Sequence, residues 1–596
     1  MADSPNVSGG GVIKLSLFSD GAAIDEDIPV ISVNVIKAVN KVPFARIVLL
    51  DGDMPEQDFP VSNSDQFKPG KEIKINAGYD DEEETIFEGI VVRHGIKVSG
   101  DNFSRLVIEC RDKAAAMTVG RKNANYIDSK DSDVITRLIS DSSLTATVTA
   151  TTTEHKELVQ YYCTDWDFML SRAEVNGMVV CVDAGKVTVG PPLSDEAATL
   201  VVTYGEDMME FSADLDSRSQ LTSVESVAWD PATQAVVVAE ESNVTVGESG
   251  NITSDDLAEV LGLDKFCLQS PTPQETGALT DWAKGQQLKA ALARIRGRMK
   301  FQGSALAEAG GMIELAGVGE RFNGTVYVSS VEHEIANGQW STRVDFGMSD
   351  SWFAEQRDLV APPASGMLPG VEGLQIGVVM KLDEDPAGES RIQVSLPVMQ
   401  AETEGVWARL ASFHASEGIG AFFIPEIGDE VIIGYLNNDP SHPIVLGSLY
   451  SSKRAMPYEL TADNYIKGLM TKEELKIEFD DEKKVITIVT PGNNTVVLSD
   501  DGKSILLQDQ NDNKVELSDS GIVLDSPKDI TISAQGKIAM TAVGNIELSS
   551  SGGDVTEDGL NITHTAQVGF TAEGNATAEL SASGQTTIKG AMVMIN

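Results

Sequence analysis

Alternation of apolar and polar positions marks the first stretch of the chain as β. Ile13, Leu15 and Leu17 alternate with Lys14 and Ser16, Ile31, Val33 and Val35 repeat the pattern, and Phe44–Leu50 is a buried-strand run closed by Asp51-Gly52. Further strands at 73–75, 87–92 and 106–110 predict a β unit over residues 1–118. The period then changes. Val134, Ile135, Leu138 and Ile139 recur at helical spacing behind Asp131, and Thr164 or Asp165 can cap a second helix carrying Trp166, Phe168, Met169 and Leu170. With strands at 178–182 and 186–189, these predict a small α/β element at 119–198. The β pattern resumes over 199–360, broken by one helix after Thr280. Ala361-Pro362-Pro363-Ala364-Ser365-Gly366 opens a linker at 361–372, a β unit follows at 373–455, and a connector at 456–470 leads to a different tract.

Residues 471–596 are short β-forming strings rich in Thr, Ser, Asn, Asp and Gly. Asp529–Gly536, Lys537–Gly544 and Asn545–Gly552 are three consecutive octads ending in glycine, which predicts left-handed corners at Gly536, Gly544 and Gly552. One apolar column runs Ile530, Ile538, Ile546, Ile562, Phe570 and Ala578, with a register bulge expected at Asp554. The second runs Ile532, Met540, Leu548, Thr556, His564, Ala572, Leu580 and Ile588. Upstream, the pairs Ile477/Phe479, Ile486/Ile488, Val496/Leu498, Ile505/Leu507, Val515/Leu517 and Ile522/Leu524 repeat less regularly. So thin a column cannot close a core in one chain. Three chains wound around one axis bury it, and the alternative is a single-chain solenoid. A threefold shaft brings three His564 imidazoles together, which suits a transition-metal ion or, without metal, a water or anion. The chain stops on Ala591, Met592, Val593, Met594, Ile595 and Asn596, an apolar end that predicts a docking surface for a tip protein.

Charge narrows the partners. Among 596 residues, 45 Lys and Arg stand against 91 Asp and Glu, a net charge of −46, which excludes phosphate neutralisation and hence nucleic acid as a partner. A local exception is Lys284, Lys289, Arg294, Arg296, Arg298 and Lys300, which either face an acidic partner or form a face balanced by acids elsewhere in the fold. Cys110, Cys163, Cys181 and Cys267 make no metal pair or disulfide framework and are expected as reduced core thiols. Met1-Ala2-Asp3-Ser4 is polar and acidic, so no signal peptide is expected and synthesis is placed in a bacterial cytoplasm. No Gly-x-Ser-x-Gly, His-Glu-x-x-His or phosphate-loop string occurs, and the acidic run 80–84 reads as a solvated loop. No catalytic residue and no bound organic cofactor are expected.

Residues 420–450, from Gly420-Ala-Phe-Phe-Ile-Pro-Glu-Ile-Gly-Asp-Glu-Val through Asn437-Asn-Asp-Pro-Ser-His-Pro443 to Leu446-Gly-Ser-Leu-Tyr450, resemble the OB-fold signature of the VgrG spike family. Arg391–Pro397, Val406-Trp-Ala-Arg409, Thr164-Asp-Trp-Asp-Phe-Met-Leu-Ser-Arg172 and Ile313–Gly324 agree with the same family in the same order. The resemblance implies a mainly β fold: a hub of two β-barrel-like domains with a small α/β element, an OB-fold barrel, and a C-terminal intertwined trimeric β-helix. It implies a homotrimeric, non-enzymatic central spike of a contractile injection machine, joined to a hexameric inner-tube protein and baseplate proteins. A PAAR-like tip protein, effector cargo and transient contact with a target-cell envelope are further implied partners. The expected setting is an extracellular phage-tail-like particle. Alternatives are a type VI secretion spike, a phage baseplate spike and a glycan-binding trimeric tail fibre.

Overall fold

The alternating runs at the start of the chain pair because each puts one apolar row on the same side of a sheet. A computed structural model describes the chain except for residues 1–2, 7–10, 81, 101–102, 194–195, 243, 245, 248, 357–358, 400–404 and 596. The expected tip contact of Asn596 therefore lies outside the described residues, as does Asp81 of the acidic run. The chain divides into two compact units, 1–449 and 450–596.

In the first unit, Val30–Ala38, Phe44–Leu50, Ser104–Arg111, Glu82–Val98, Glu72–Tyr79 and Ile13–Ser19 lie side by side, antiparallel. Val33, Ile47, Leu49, Ile73, Phe87, Leu106 and Ile108 fill the core beneath them. Gly324–Ala336 then pairs with Val30–Ala38, Ser330 opposite Ala38 and Ala336 opposite Ser32. The two β stretches thus share one 13-stranded sheet. They keep separate cores, the second built on Met299, Phe301, Ile313, Val328, Val344 and Phe346.

Helices Asp131–Asp141 and Asp165–Val175 pack Val134, Ile135, Leu138, Phe168, Met169 and Leu170 into a third core. Thr164 is the cap of the second helix, its side chain accepting from the Asp167 N–H. The helix expected after Thr280 begins earlier and spans Thr276–Ala293. It covers a three-stranded sheet of Ala235–Ser242, Ser223–Asp230 and Phe266–Ser270. A further helix, Ser254–Leu261, starts from a reciprocal capping box between Thr253 and Asp256.

Gln375–Lys381, Ile392–Ser395, Val406–Leu410, Pro443–Ser448 and Glu430–Tyr435 close into a five-stranded barrel around Val379, Val394, Ala408, Val431, Ile433 and Val445. The preceding linker is tied to this barrel: the Val371 N–H donates to the Asn438 carbonyl at 2.8 Å, and Asn437 Nδ2 to Ser365 Oγ at 3.2 Å.

The cysteines divide rather than sharing a core. Cys110 is buried, Cys163 and Cys181 are half-buried, and Cys267 is exposed on an edge strand. Burial pushes the Cys110 thiol up to about 12 and the Cys181 thiol up to about 11. Brief alkylation of the native protein at neutral pH is expected to modify Cys267 alone, with Cys110 and Cys181 reacting only after denaturation. Peptide mapping by mass spectrometry checks this, and native labelling of Cys110 contradicts the packing.

Candidate functional site

The second unit opens with seven short antiparallel strands in chain order: Ile466–Met470, Lys476–Asp480, Val485–Val489, Thr495–Ser499, Ser504–Gln508, Lys514–Ser518 and Gly521–Asp525. The sheet starts at Ile466, inside the expected connector. Its register sorts the paired apolar residues into two columns. Leu469, Ile477, Ile488, Val496, Leu507, Val515 and Leu524 stand opposite one another in turn. So do Phe479, Ile486, Leu498, Ile505, Leu517 and Ile522. Columns two residues apart lie on one face, so these two columns share one side of the meander, while Val497, Leu506 and Val523 lie on the other. Among the described residues, no strand or helix is laid over the two-column side. Phe479, Ile486, Ile488, Leu498, Ile505, Leu507 and Leu517 remain 36–45% exposed.

Beyond Asp525 the ladder ends. The described residues of 527–595 form no strand and no backbone–backbone hydrogen bond within the chain. The trace instead bends at 527–528, 535–536, 543–544, 551–553, 560, 567–568, 575–576, 583–584 and 591, an eight-residue spacing kept on both sides of Asp554. In place of the expected bulge at Asp554, the bend at 551–553 is one residue longer than those before it and the spacing continues unbroken. The glycine expectation also fails: Gly536, Gly544 and Gly552 are absent from the left-handed backbone positions, and a Cβ there meets no atom of the chain. These bends use ordinary backbone, so nothing in a single chain demands glycine. Ile530, Ile532, Ile538, Met540, Ile546 and Leu548 are 52–67% exposed, as both columns look outward from the isolated chain.

Ala591, Met592, Val593, Met594 and Ile595 are all exposed at the chain end. His564 lies in the second column, exposed, with Nε2 3.3 Å from Glu557 Oε2 and its ring stacked near Phe570. Among the described residues of one chain, no group of three or more His, Cys, Asp or Glu is placed to hold a metal ion.

The first unit contains a serine–histidine contact of nucleophile–base type. Ser62 Oγ is 2.8 Å from His94 Nε2, while His94 Nδ1 lies 2.9 Å from the Phe67 carbonyl, which can only accept. With Nδ1–H donating to that carbonyl, the neutral ring accepts a hydrogen bond from the Ser62 hydroxyl through Nε2. The N–H groups of Val61 and Ser62, which an oxyanion would need, donate instead to the Asp51 carboxylate at 3.1 and 2.7 Å. The pair anchors a loop. A second polar cluster joins Asp131 to Arg172, His155 and Asn176, all at 2.6–2.9 Å. Burial alone raises the Asp131 carboxyl, but these donors outweigh it and hold it well below the usual carboxylate range. Four of the six cations of the basic strip find partners within the fold. Lys289 pairs with Glu174, Arg298 with Asp345 and Lys300 with Glu334, while Arg294 is buried and donates to the Ile252 carbonyl and Ser249.

A signal absent from the sequence reading becomes visible in the meander. The turns at Thr471, Thr490 and Asp509 are the same turn: each N–H donates to the carbonyl four residues on, at Leu475, Asn494 and Asn513. The spacing defines a 19-residue hairpin repeat, 471–489, 490–508 and 509–525, the last two residues shorter. Aligning Thr471, Thr490 and Asp509 in the sequence would have revealed it.

Residues 10–337, more than half of the chain, match the family described as the Alg8 N-terminal domain. Residues 375–450 match the type VI secretion system/phage-baseplate injector OB domain, the span of the closed barrel. Two Pseudomonas aeruginosa relatives bear the name type VI secretion system spike protein. VgrG5 is 33% identical over 149 residues, covering 23% of this chain and 18% of the relative. VgrG1b is 27% identical over 197 residues, covering 30% and 25%. The match thus spans a quarter or less of the length of these relatives. A solved type VI secretion component of E. coli, described as similar to bacteriophage tail proteins, superposes with a TM-score of 0.35 at 13% identity, covering 73% of this chain and 99% of that one.

Proposed function

Because the chain belongs to the Alg8 N-terminal domain family and its OB domain is of the VgrG spike type, we propose that it is the trimeric central spike of a contractile injection machine. The carrying observation is the uncovered two-column face, continued by a tract that has no hydrogen-bonded ladder of its own. Ordering a residue costs about 1–2 kcal/mol in backbone entropy. An eight-residue path without internal hydrogen bonds holds its shape only when other chains supply the missing partners.

The face has the size for that role. Seven strands about 4.8 Å apart, each roughly 17 Å long, give of the order of 570 Å² of sheet per copy. Three copies meeting on this side reach the scale of a specific interface, about 800 Å² per partner once side-chain relief is counted. Interlocked ladders leave few free edges, and the result is a stiff shaft. In this reading the first unit docks to a hexameric tube and baseplate proteins, and the chain transmits force without catalysing a reaction. The particle acts outside the producing cell, with a type VI or phage setting as the alternative. The end of the chain, exposed over 591–595 and completed by Asn596, seats a PAAR-like tip protein, and cargo travels with the spike. Three His564 imidazoles converge at one level of the shaft and offer nitrogen donors to a transition-metal ion; metal analysis of the purified trimer showing no bound ion removes that element.

Light scattering of the full chain tests the central claim, with a mass three times 63.6 kDa expected. A folded monomer at micromolar concentration overturns it. Removing 591–596 is expected to leave that mass unchanged while abolishing retention of the tip protein in co-purification. Retention at the wild-type level assigns the tip to another surface.

A further inference from the structure

We propose that the seven-stranded meander is the registration element of the assembly, setting the alignment in which the octad tract winds; the inference rests on the trimeric reading above. The two parts of the second unit differ in what one chain can do alone. The meander closes every strand against its chain neighbour from Ile466 to Asp525. The described residues beyond it make no such bond. The meander can therefore form before the chains meet, whereas the octad path exists only after they meet.

Register has the same asymmetry. The first three octads present Ile530, Ile538 and Ile546 at equivalent positions, each bounded by a bend eight residues on. Over these three octads a chain slipped by one octad sets isoleucine against isoleucine again and gives up few contacts, which is the situation in which register is weakly specified. The meander cannot slip by eight residues, because its strands are locked by turns into 19-residue hairpins. Its columns also carry single landmarks: Phe479 is the only aromatic in them, and Lys467 stands where the Phe479 column would otherwise continue. Sliding one copy by a hairpin removes two strands from the shared face and misplaces both landmarks. Once three meanders are matched, the octads emerge at high effective concentration in one alignment.

Two full-length double variants separate this order from its reverse. Leu498→Glu with Leu507→Glu places charge on the meander face, while Ile538→Glu with Ile546→Glu places it in the octad column. Amide exchange reads the octads, and hydroxyl-radical labelling of Phe479 reads the meander face. The first variant is expected to release octad amides to random-coil exchange, a loss of protection of about a thousandfold or more. The second is expected to release the octads while Phe479 stays as shielded as in wild type. Exposure of Phe479 in the octad variant overturns the proposal, as do protected octads in the meander variant. Should the first variant lose its own ladder, the octad variant decides alone. Wild-type protein with Phe479 labelled freely and octads unprotected refutes the trimer itself, a distinct outcome.

Discussion

Asp131→Ala is expected to destabilise the α/β element of the first unit by about 3–5 kcal/mol, the range for breaking a buried pair by removing one partner. Asp131 is 1% exposed and takes both oxygens' worth of donors: Arg172 Nε at 2.6 Å and Nη2 at 2.9 Å, His155 Nε2 at 2.9 Å and Asn176 Nδ2 at 2.8 Å. The donors come from the helix Asp165–Val175, the residue that follows it, and the strand Glu154–Cys163, so one carboxylate ties three segments together. Truncation leaves the half-buried Arg172 guanidinium facing a void. Asp131→Asn keeps one acceptor and is expected to fall between alanine and wild type. Amide exchange across 131–175 is the suitable readout, since a chain of two units need not melt in one step. Exchange rates within threefold of wild type in the alanine variant contradict the role given to this carboxylate.

The parts of the fold legible in the sequence are those whose signal is local. Two-residue alternation located Ile13–Ser19, a buried-strand run located Phe44–Leu50, the 3.6 period located Asp131–Asp141, and the Thr164-Asp165 pair announced the second helix. The octad was legible to its last bend because each repeat carries its pattern within eight residues. The helix Ser254–Leu261 was equally local, through Thr253 and Asp256, and was passed over inside a stretch expected as β. The pairing of Gly324–Ala336 with Val30–Ala38 joins residues about three hundred apart. No local pattern encodes such a partner, so two β units looked separate where one sheet runs through both.

The candidate site divides in the same way. The apolar pairs of the meander were visible as pairs, but placing them on one face needed the register, because Ile477 and Ile488 meet only across a turn. The 19-residue repeat was hidden by the two residues missing from its third copy. The basic strip stayed open between two readings for a physical reason. A run of six cations without an intervening acid looks unpartnered in sequence, yet Glu174, Glu334 and Asp345 approach from other elements.

Acid is expected to loosen the first unit before it touches the carboxylate network, through His333. This imidazole is 2% exposed, with Nδ1 3.0 Å from Thr342 Oγ1 and its ring 5.9 Å from that of Trp340. Burial, reinforced by the charge of Lys37, pushes its pKa down to about 3. The ordinary value is about 6.5. Between these limits the unfolded state binds a proton that the folded state refuses, so stability falls as pH drops through that window. One proton is about 1.4 kcal/mol per pH unit, a tenfold rise in local opening for each unit of acidification. From pH 7 to pH 4 the opening of Gly324–Ala336 and its partner Gln339–Phe346 is expected to rise a few hundredfold, beyond the intrinsic pH dependence of exchange. Asp131 works lower on the scale. Its folded pKa is depressed, so its contribution is intact above the unfolded value of about 3.9 and is lost only as pH falls through the folded one. Replacing His333 with glutamine keeps a polar partner for Thr342 but carries no titrating group. That variant is expected to flatten the response between pH 6.5 and 4 while leaving the acid limb below pH 4 in place. An unchanged response in His333→Gln assigns the acid sensitivity of this strand pair to another group.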